Sequence, residues 1–220
     1  SLDRLIEVTQ QVGLFLDVLR FGLNTVFRKG KKEHLVQKVI AIREAYYAGH
    51  AAELAGLVEF FDEGRYLLYS SVAANIVFGN PNDEAFLPEN LHANPEFQAF
   101  LREAGLDTIL LDLGRELAVR TVDILKNVPS ADASFFEQTP MLPEEFEAFS
   151  PLAERLERAG EGMDGLGEQE RGMLVKLALR YTPGRHAIAS LSPRDERTLL
   201  SGRARFMELI AGRSPEKVTF

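Results

Sequence analysis

Apolar residues recur at three- and four-residue spacing along most of this 220-residue chain, a pattern typical of amphipathic α-helices. One stripe runs from Leu2 to Leu19, a second from Leu35 to Tyr46, and a long one from Leu106 to Val128. Weaker stripes with their own caps predict further helices over 95–105, 144–159, 167–181 and 193–212. The sequence therefore predicts an all-α fold, an irregular bundle of several helices.

Residues 57–69 interrupt this pattern. Two short apolar runs, 57–61 and 66–69, flank Asp62-Glu63-Gly64-Arg65, a sequence that favours a tight turn. Runs of this length around a turn are also typical of small hairpins. We expect either an extended segment or a short hairpin here.

Length and composition favour a single helical domain over residues 1–220. Hydrophobic residues at 45% and charged residues at 26% are ordinary values for a folded globular chain. A subdivision is also compatible with the pattern: N-terminal helices over 1–56, an extended or loop segment over 57–94, and a C-terminal bundle over 95–220. The β-branched and aromatic residues of 217–220 predict the start of a strand, which leaves open whether the chain is a piece of a longer polypeptide.

Charge argues against a surface that binds nucleic acid, and hydropathy argues against a helix that spans a membrane. The formal net charge is −8, which disfavours a broad nucleic-acid-binding surface. No apolar run approaches the roughly 18 residues that a membrane-spanning helix needs. The only concentrated basic patch, residues 28–32, is interpreted as a solvated loop, with a phosphate or anionic membrane site as the alternative.

Motifs for catalysis are missing from the sequence. No GxxxxGK[ST] run is present to grip a nucleotide phosphate, and the glycines of 160–167 lie in an acidic segment that would repel a pyrophosphate. The chain has no cysteine, and its four histidines do not have metal-ligand spacing. The acidic residues of the long helix (Asp107, Asp112 and Glu116) are interpreted as a solvated face. We therefore predict no catalytic, cofactor-binding or metal-binding residues in this chain.

One stretch is more specific. Residues 67–81 read LLYSSVAANIVFGNP, and this resembles the segment that follows the Q-loop in the ATP-binding domain of ABC exporters, commonly LFSGTVxENIxFGNP. The matching positions are Val72, Asn75, Ile76, Phe78, Gly79 and Pro81. Two departures accompany the match: Gly64-Arg65 stands near the expected Q-loop glutamine, and Ala73-Ala74 replaces a basic-acidic pair.

The rest of the chain lacks the Walker motifs, and residues 200–203 are only a faint echo of the LSGGQ signature. The chain is instead similar to a bacterial subgroup of ABC ATP-binding/permease proteins in which a helical segment interrupts the ATP-binding domain. Stretches similar to that subgroup's lie at residues 17–24, 135–138, 180–186 and 218–220.

This resemblance implies a non-catalytic inserted domain that modulates coupling or partner docking. ATP and Mg²⁺ would bind only elsewhere in the parent protein, which would itself be the ATPase. The implied partners are the rest of the transporter polypeptide, including its membrane domain, and a second copy in a homodimer formed through the parent. The implied location is the cytoplasmic face of the inner membrane, and the isolated segment would be soluble.

A free-standing all-helical adaptor remains the alternative. In that case a groove between helices would take a peptide or a small ligand. Four aromatic residues (Phe60, Phe61, Tyr66 and Tyr69) are the candidate lining, with ordinary core packing as the competing interpretation.

Overall fold

The fold is given by a computed structural model that describes residues 1–23, 32–77, 80–81, 83–126, 136–160, 162–163, 165–213 and 218–219. The all-α prediction is confirmed. The chain divides into two compact units, Ser1–Val58 (unit 1) and Glu59–Phe220 (unit 2).

Unit 1 contains three helices: α1 (Leu2–Gln11), α2 (Phe15–Leu23) and α3 (Glu33–Leu54). A single first helix from Leu2 to Leu19 was the sequence-based expectation, and it is wrong. Gly13 has φ of 74°, a left-handed conformation that glycine adopts without a steric penalty, and this residue ends α1 before α2 begins. The basic patch over 28–31 lies outside the described residues.

None of the described residues of unit 1 is buried, although the sequence predicts a stripe of α1 and α2 that faces a core. Seventeen of the twenty-two large apolar side chains that are exposed in the described parts of the chain belong to this unit. The solvent-exposed faces of α1, α2 and α3 therefore carry apolar residues of the kind usually found in a protein core.

Unit 2 holds the hydrophobic core. Its helices are α4 (Val72–Ile76), α5 (Pro95–Glu103), α6 (Asp107–Lys126), α7 (Phe146–Ala159), α8 (Glu168–Arg180), α9 (Pro183–His186) and α10 (Pro193–Arg213). Short 3₁₀ turns lie at Glu84–Phe86, Leu91–Ala93 and Pro143–Glu145. Asn94 caps α5 by accepting the N–H groups of Glu96 and Phe97, as the Asn-Pro pair in the sequence predicts.

The central helix of unit 2 is α6, which packs against both α7 and α8. The two helices α6 and α8 approach closely at Gly114, where an added Cβ would lie 2.2 Å from the carbonyl oxygen of Leu174 in α8. A residue without a side chain is therefore required at this crossing. Four phenylalanines join α5 to α10: Phe206 lies 5.2 to 6.1 Å from the ring centroids of Phe86, Phe97 and Phe100.

Residues 57–69 form turns and irregular backbone, and no β-ladder links the two apolar runs within them. The expected turn is present: the side chain of Asp62 accepts the N–H of Gly64, and its carbonyl accepts the N–H of Arg65. The carboxylate of Glu59 accepts the N–H groups of Leu68 and Tyr69. A side chain thus takes two donors that a hairpin would give to the opposite strand, and no hairpin forms over 57–69.

The described residues contain one pair of short strands. Strand β1 (Asn80–Pro81) pairs antiparallel with β2 (Val218–Thr219), with Asn80 opposite Thr219 and Pro81 opposite Val218. The strand predicted over 217–220 is thus observed at Val218–Thr219. All the helices from α5 to α10 lie in sequence between these two strands.

Candidate functional site

The residues that resemble the ABC segment form the short helix α4 and the turn before it. Ser71 caps α4 by accepting the N–H of Ala74, and Val72 and Ile76 are both fully buried. Pro81 lies in β1, whereas Phe78 and Gly79 lie outside the described residues. The resembling segment is therefore built into the core of unit 2 up to Val77.

Asn75 is the polar centre of this segment. Its side chain is fully buried, and its Oδ1 accepts the N–H of Leu67 at 2.9 Å. Its Nδ2 donates to the carbonyls of Leu67 and Ser71 at 2.9 and 3.1 Å. A buried amide needs such partners, because an unsatisfied polar group costs about 1–3 kcal/mol. Asn75 thereby fixes the chain before α4 against α4 itself.

Arg203 of α10 completes this centre. Its Nη2 donates to Asn75 Oδ1 at 2.8 Å, its Nε donates to the Asn75 carbonyl at 2.8 Å, and its Nη1 donates to the Glu63 carbonyl at 3.3 Å. Sequence reasoning missed this residue. Leu199, Arg203 and Phe206 follow one another at four- and three-residue steps, and all three are buried. A charged residue within an apolar helical stripe was therefore the feature of the sequence that could have indicated a buried arginine.

The charge of Arg203 is held without an acidic partner. The residue is 3% exposed, and no carboxylate of the described residues lies within 4.0 Å of it. Burial lowers the pKa of Arg203, but a guanidinium remains protonated in proteins. Burial also raises the pKa of the neighbouring Tyr66, so that its hydroxyl stays neutral. The Phe61 ring lies 5.7 Å from the guanidinium carbon and supplies a cation–π contact.

A second resembling stretch, residues 180–186, is joined to the first. The N–H of Val72 donates to the Tyr181 carbonyl at 2.9 Å, and the N–H of Gly184 donates to the Leu68 carbonyl at 2.8 Å. A Cβ on Gly184 would lie 2.8 Å from the Tyr69 ring. We name the assembly of residues 59–76, residues 180–186 and Arg203 the α4 junction.

The other resembling stretches lie elsewhere. Residues 17–23 belong to α2 of unit 1, and Val218–Thr219 pairs with β1. Of residues 135–138, Phe136 is buried and its ring meets Phe146 edge-on at 6.2 Å. The α4 junction therefore gathers two of the stretches, and β2 lies beside the end of the first.

His186 makes the α4 junction sensitive to acid. Its Nδ1 accepts the N–H of Thr182 at 3.0 Å, and burial, with the nearby charge of Arg185, lowers its pKa to about 4. Because the unfolded chain binds a proton below about pH 6.5, stability present above that pH is lost as the pH falls towards 4.

We expect this loss to be about 1–2 kcal/mol once discounted for the half-exposed ring. The melting temperature of the wild type and of His186→Asn, measured from pH 7 to pH 4, checks it. Asparagine can still accept the Thr182 N–H but does not titrate, so the variant should lose less stability. Identical pH profiles for the two proteins would contradict the assignment.

The four aromatic residues considered as a groove lining differ in exposure: Tyr66 is buried, Phe60 is half-buried, and Phe61 and Tyr69 are exposed. Two adjoining cavities of about 220 and 520 Å³ lie in unit 2, and both are lined by His92, Gln98, Glu168 and Gly172.

Charges of both signs line the larger cavity. Glu145 binds Lys176 at 3.1 Å and Arg180 at 2.5 Å; burial opposes the effect, but these hydrogen bonds lower the pKa of Glu145 overall. Burial, together with the charge of Lys176, lowers the pKa of His92, whose buried Nδ1 has no partner among the described residues. The cavity has room for a small polar ligand.

Within the described ranges, no group of three or more His, Asp or Glu side chains is placed to hold a metal ion. None of the helices in those ranges combines the length and the apolar character needed to cross a membrane. No family model, curated protein or solved structure matches the chain.

Proposed function

We propose that this chain is a non-catalytic helical module inserted in the ATP-binding domain of an ABC transporter, where its docking modulates coupling between ATP hydrolysis and transport. The observation that carries the proposal is the β1–β2 pair. A module inserted in a host fold leaves and rejoins the host at neighbouring points. Here the helices α5 to α10 depart after Pro81 and return at Val218, and these two residues are paired.

The α4 junction supports the same proposal. The segment that resembles the host domain is bound by α10 through Arg203 and by residues 181 and 184 through backbone hydrogen bonds. A helical body attached to that segment would move with it. In ABC exporters the segment after the Q-loop faces the membrane domain, so the body is proposed to bias the equilibrium between ATP-bound and ATP-free arrangements. Only a body that docks differently in the two states can do so.

The proposal assigns ATP and Mg²⁺ to other parts of the parent polypeptide. The partners of the module are then the rest of that polypeptide and its membrane domain, and the module lies at the cytoplasmic face of the inner membrane. Fractionated source cells, probed with an antibody raised against residues 1–220, test this directly. We expect a membrane-bound band several times larger than 24.6 kDa.

A soluble band near 24.6 kDa would overturn the proposal. It would favour the alternative, a free-standing helical protein that binds a small ligand, which the 520 Å³ cavity beside His92 and Lys176 supports. Titration calorimetry of the 220-residue chain with Mg²⁺-ATP is a second test. Because nucleotide binding is assigned to the parent, saturable binding at cellular ATP concentrations would also overturn it.

A further inference from the structure

We propose that the two adjoining cavities of unit 2 form one binding site for a small organic acid, a carboxylate that carries an apolar body. The smaller cavity measures about 220 Å³ and the larger about 520 Å³. Ligand sites in proteins ordinarily measure about 300–1,000 Å³, so this space suits a small molecule. The inference depends on the cavities alone, and it applies equally to an inserted module and to a free-standing protein.

Helix α8 forms the wall that the two cavities share, and Gly172 lies on that wall. Glycine in the interior of a helix is destabilising relative to alanine. At Gly114 packing requires the glycine, but a Cβ on Gly172 would meet nothing within 4 Å. The missing side chain therefore serves no helix crossing, and its absence keeps open the space where the two cavities meet.

Both cavities also have an apolar wall. In the larger cavity this wall includes Phe149 of α7, which is 2% exposed, and Met173 of α8, which packs against the same core. In the smaller cavity it consists of Leu101, Leu111 and Val175. An apolar group on the ligand would cover these side chains and remove them from water, which favours binding.

The formal charges around the site balance, so their positions decide which ligand charge is favoured. The carboxylates that line the cavities are those of Asp107, Glu144, Glu145 and Glu168. The cations are Arg102, Arg171 and Lys176, together with Arg180, which binds Glu145. Glu144, Glu168 and the two lining arginines are exposed, and water screens their charges. The half-buried charges therefore contribute most to the field inside the site.

The half-buried charges make the larger cavity positive at His92. The carboxylate of Glu145 binds two cations, Lys176 at 3.1 Å and Arg180 at 2.5 Å. Burial lowers the pKa of His92, and the charges of Lys176 and Arg180 lower it further than Glu145 raises it. A lysine ammonium has three N–H donors, and Lys176 gives one of them to Glu145. A ligand carboxylate beside His92 would accept a remaining donor.

Titration calorimetry of the 220-residue protein with 3-phenylpropionate tests the ligand class. We expect saturable binding with a dissociation constant of about 1 mM or lower. The uncharged analogue 3-phenylpropanamide should bind roughly 10-fold more weakly, because it lacks the charge that the site favours. Equal binding of acid and amide, or no saturable binding of the acid at millimolar concentrations, would overturn the inference. Inorganic phosphate that displaces the acid at equal concentration would also overturn the assignment to an organic acid.

Two variants locate the site. Gly172→Leu fills the space where the cavities meet and should weaken binding roughly 10-fold or more. Gly49→Leu is the matched control, since it adds the same side chain to α3 of unit 1 at a position where a Cβ meets nothing within 4 Å. Lys176→Gln removes the cation and should weaken binding of the acid but not of the amide. Lys38→Gln, on the exposed surface of α3, should change neither.

Melting curves establish that each variant is folded before binding is measured, and Lys176→Gln still tests the site if Gly172→Leu does not fold. Binding that Gly172→Leu and Lys176→Gln both leave unchanged would place the acid elsewhere and refute the inference. Such a result would not affect the proposed transporter module, which depends on the β1–β2 pair and is tested by cell fractionation.

Discussion

Replacing Arg203 with alanine is expected to destabilise unit 2 by about 3 kcal/mol or more, which corresponds to a fall of roughly 6–12 °C in the melting temperature. The substitution removes three hydrogen bonds at once, those to Asn75 Oδ1, to the Asn75 carbonyl and to the Glu63 carbonyl, and leaves Oδ1 with the Leu67 N–H alone. It also leaves a cavity where a side chain that is 97% buried now packs. Thermal unfolding followed by circular dichroism measures the effect.

Two further variants separate the causes. Arg203→Met keeps most of the volume but none of the donors, so most of the loss should remain if hydrogen bonding dominates. Arg205→Ala, two residues along the same helix, removes an exposed guanidinium with one 3.3 Å bond to the Glu103 carbonyl and should change stability by no more than about 0.5 kcal/mol. Equal losses for Arg203→Ala and Arg205→Ala would show that the α4 junction does not depend on its buried charge.

Gly114→Ala is the second substitution with a large expected effect. The new Cβ would lie 2.2 Å from the Leu174 carbonyl oxygen and 2.7 Å from its carbonyl carbon. These atoms are backbone within α8, so the clash is relieved only if α6 and α8 move apart and loosen the core between them. We expect a net loss of about 2–3 kcal/mol, although alanine in a helix is otherwise favoured over glycine by about 1 kcal/mol.

Gly172→Ala provides the control of opposite sign. Gly172 also lies within a helix, α8, but a Cβ there meets nothing within 4 Å. Its replacement should stabilise the protein by about 0.5–1 kcal/mol. Urea denaturation of both variants gives the comparison; two shifts of the same sign would mean that the α6–α8 crossing does not need its glycine.

The two glycines show that the distance between helices cannot be predicted from the local sequence. Periodicity predicts α6, and it assigns Gly114 a cost of about 1 kcal/mol as a helix interior residue. It gives no information that the backbone of Leu174, sixty residues later, passes over that position. The helices themselves are predictable because their apolar stripes and caps are local, whereas helix-to-helix distance depends on residues remote in sequence.

For the same reason, only the local part of the α4 junction could be predicted from the sequence. The resemblance singles out Asn75, Val72 and Ile76, and all three are fully buried in the structure. The partner of Asn75 is Arg203, which lies 128 residues away, and only its place in the buried stripe of α10 distinguishes it from other arginines. In unit 1 the prediction was wrong in the opposite sense. The apolar stripes of its helices predict a buried face, and the folded chain leaves these stripes exposed.

The β1–β2 pair also bears on the entropy of the chain. Closing a flexible loop of the roughly 135 residues between Pro81 and Val218 costs about 4 kcal/mol, and a two-residue strand pair contributes only about 1–2 kcal/mol. The pair cannot by itself hold the ends of an unfolded body together, so its formation reports that the helices between it are folded. Any scaffold that already holds β1 and β2 side by side therefore removes this entropic cost and stabilises the helices between them.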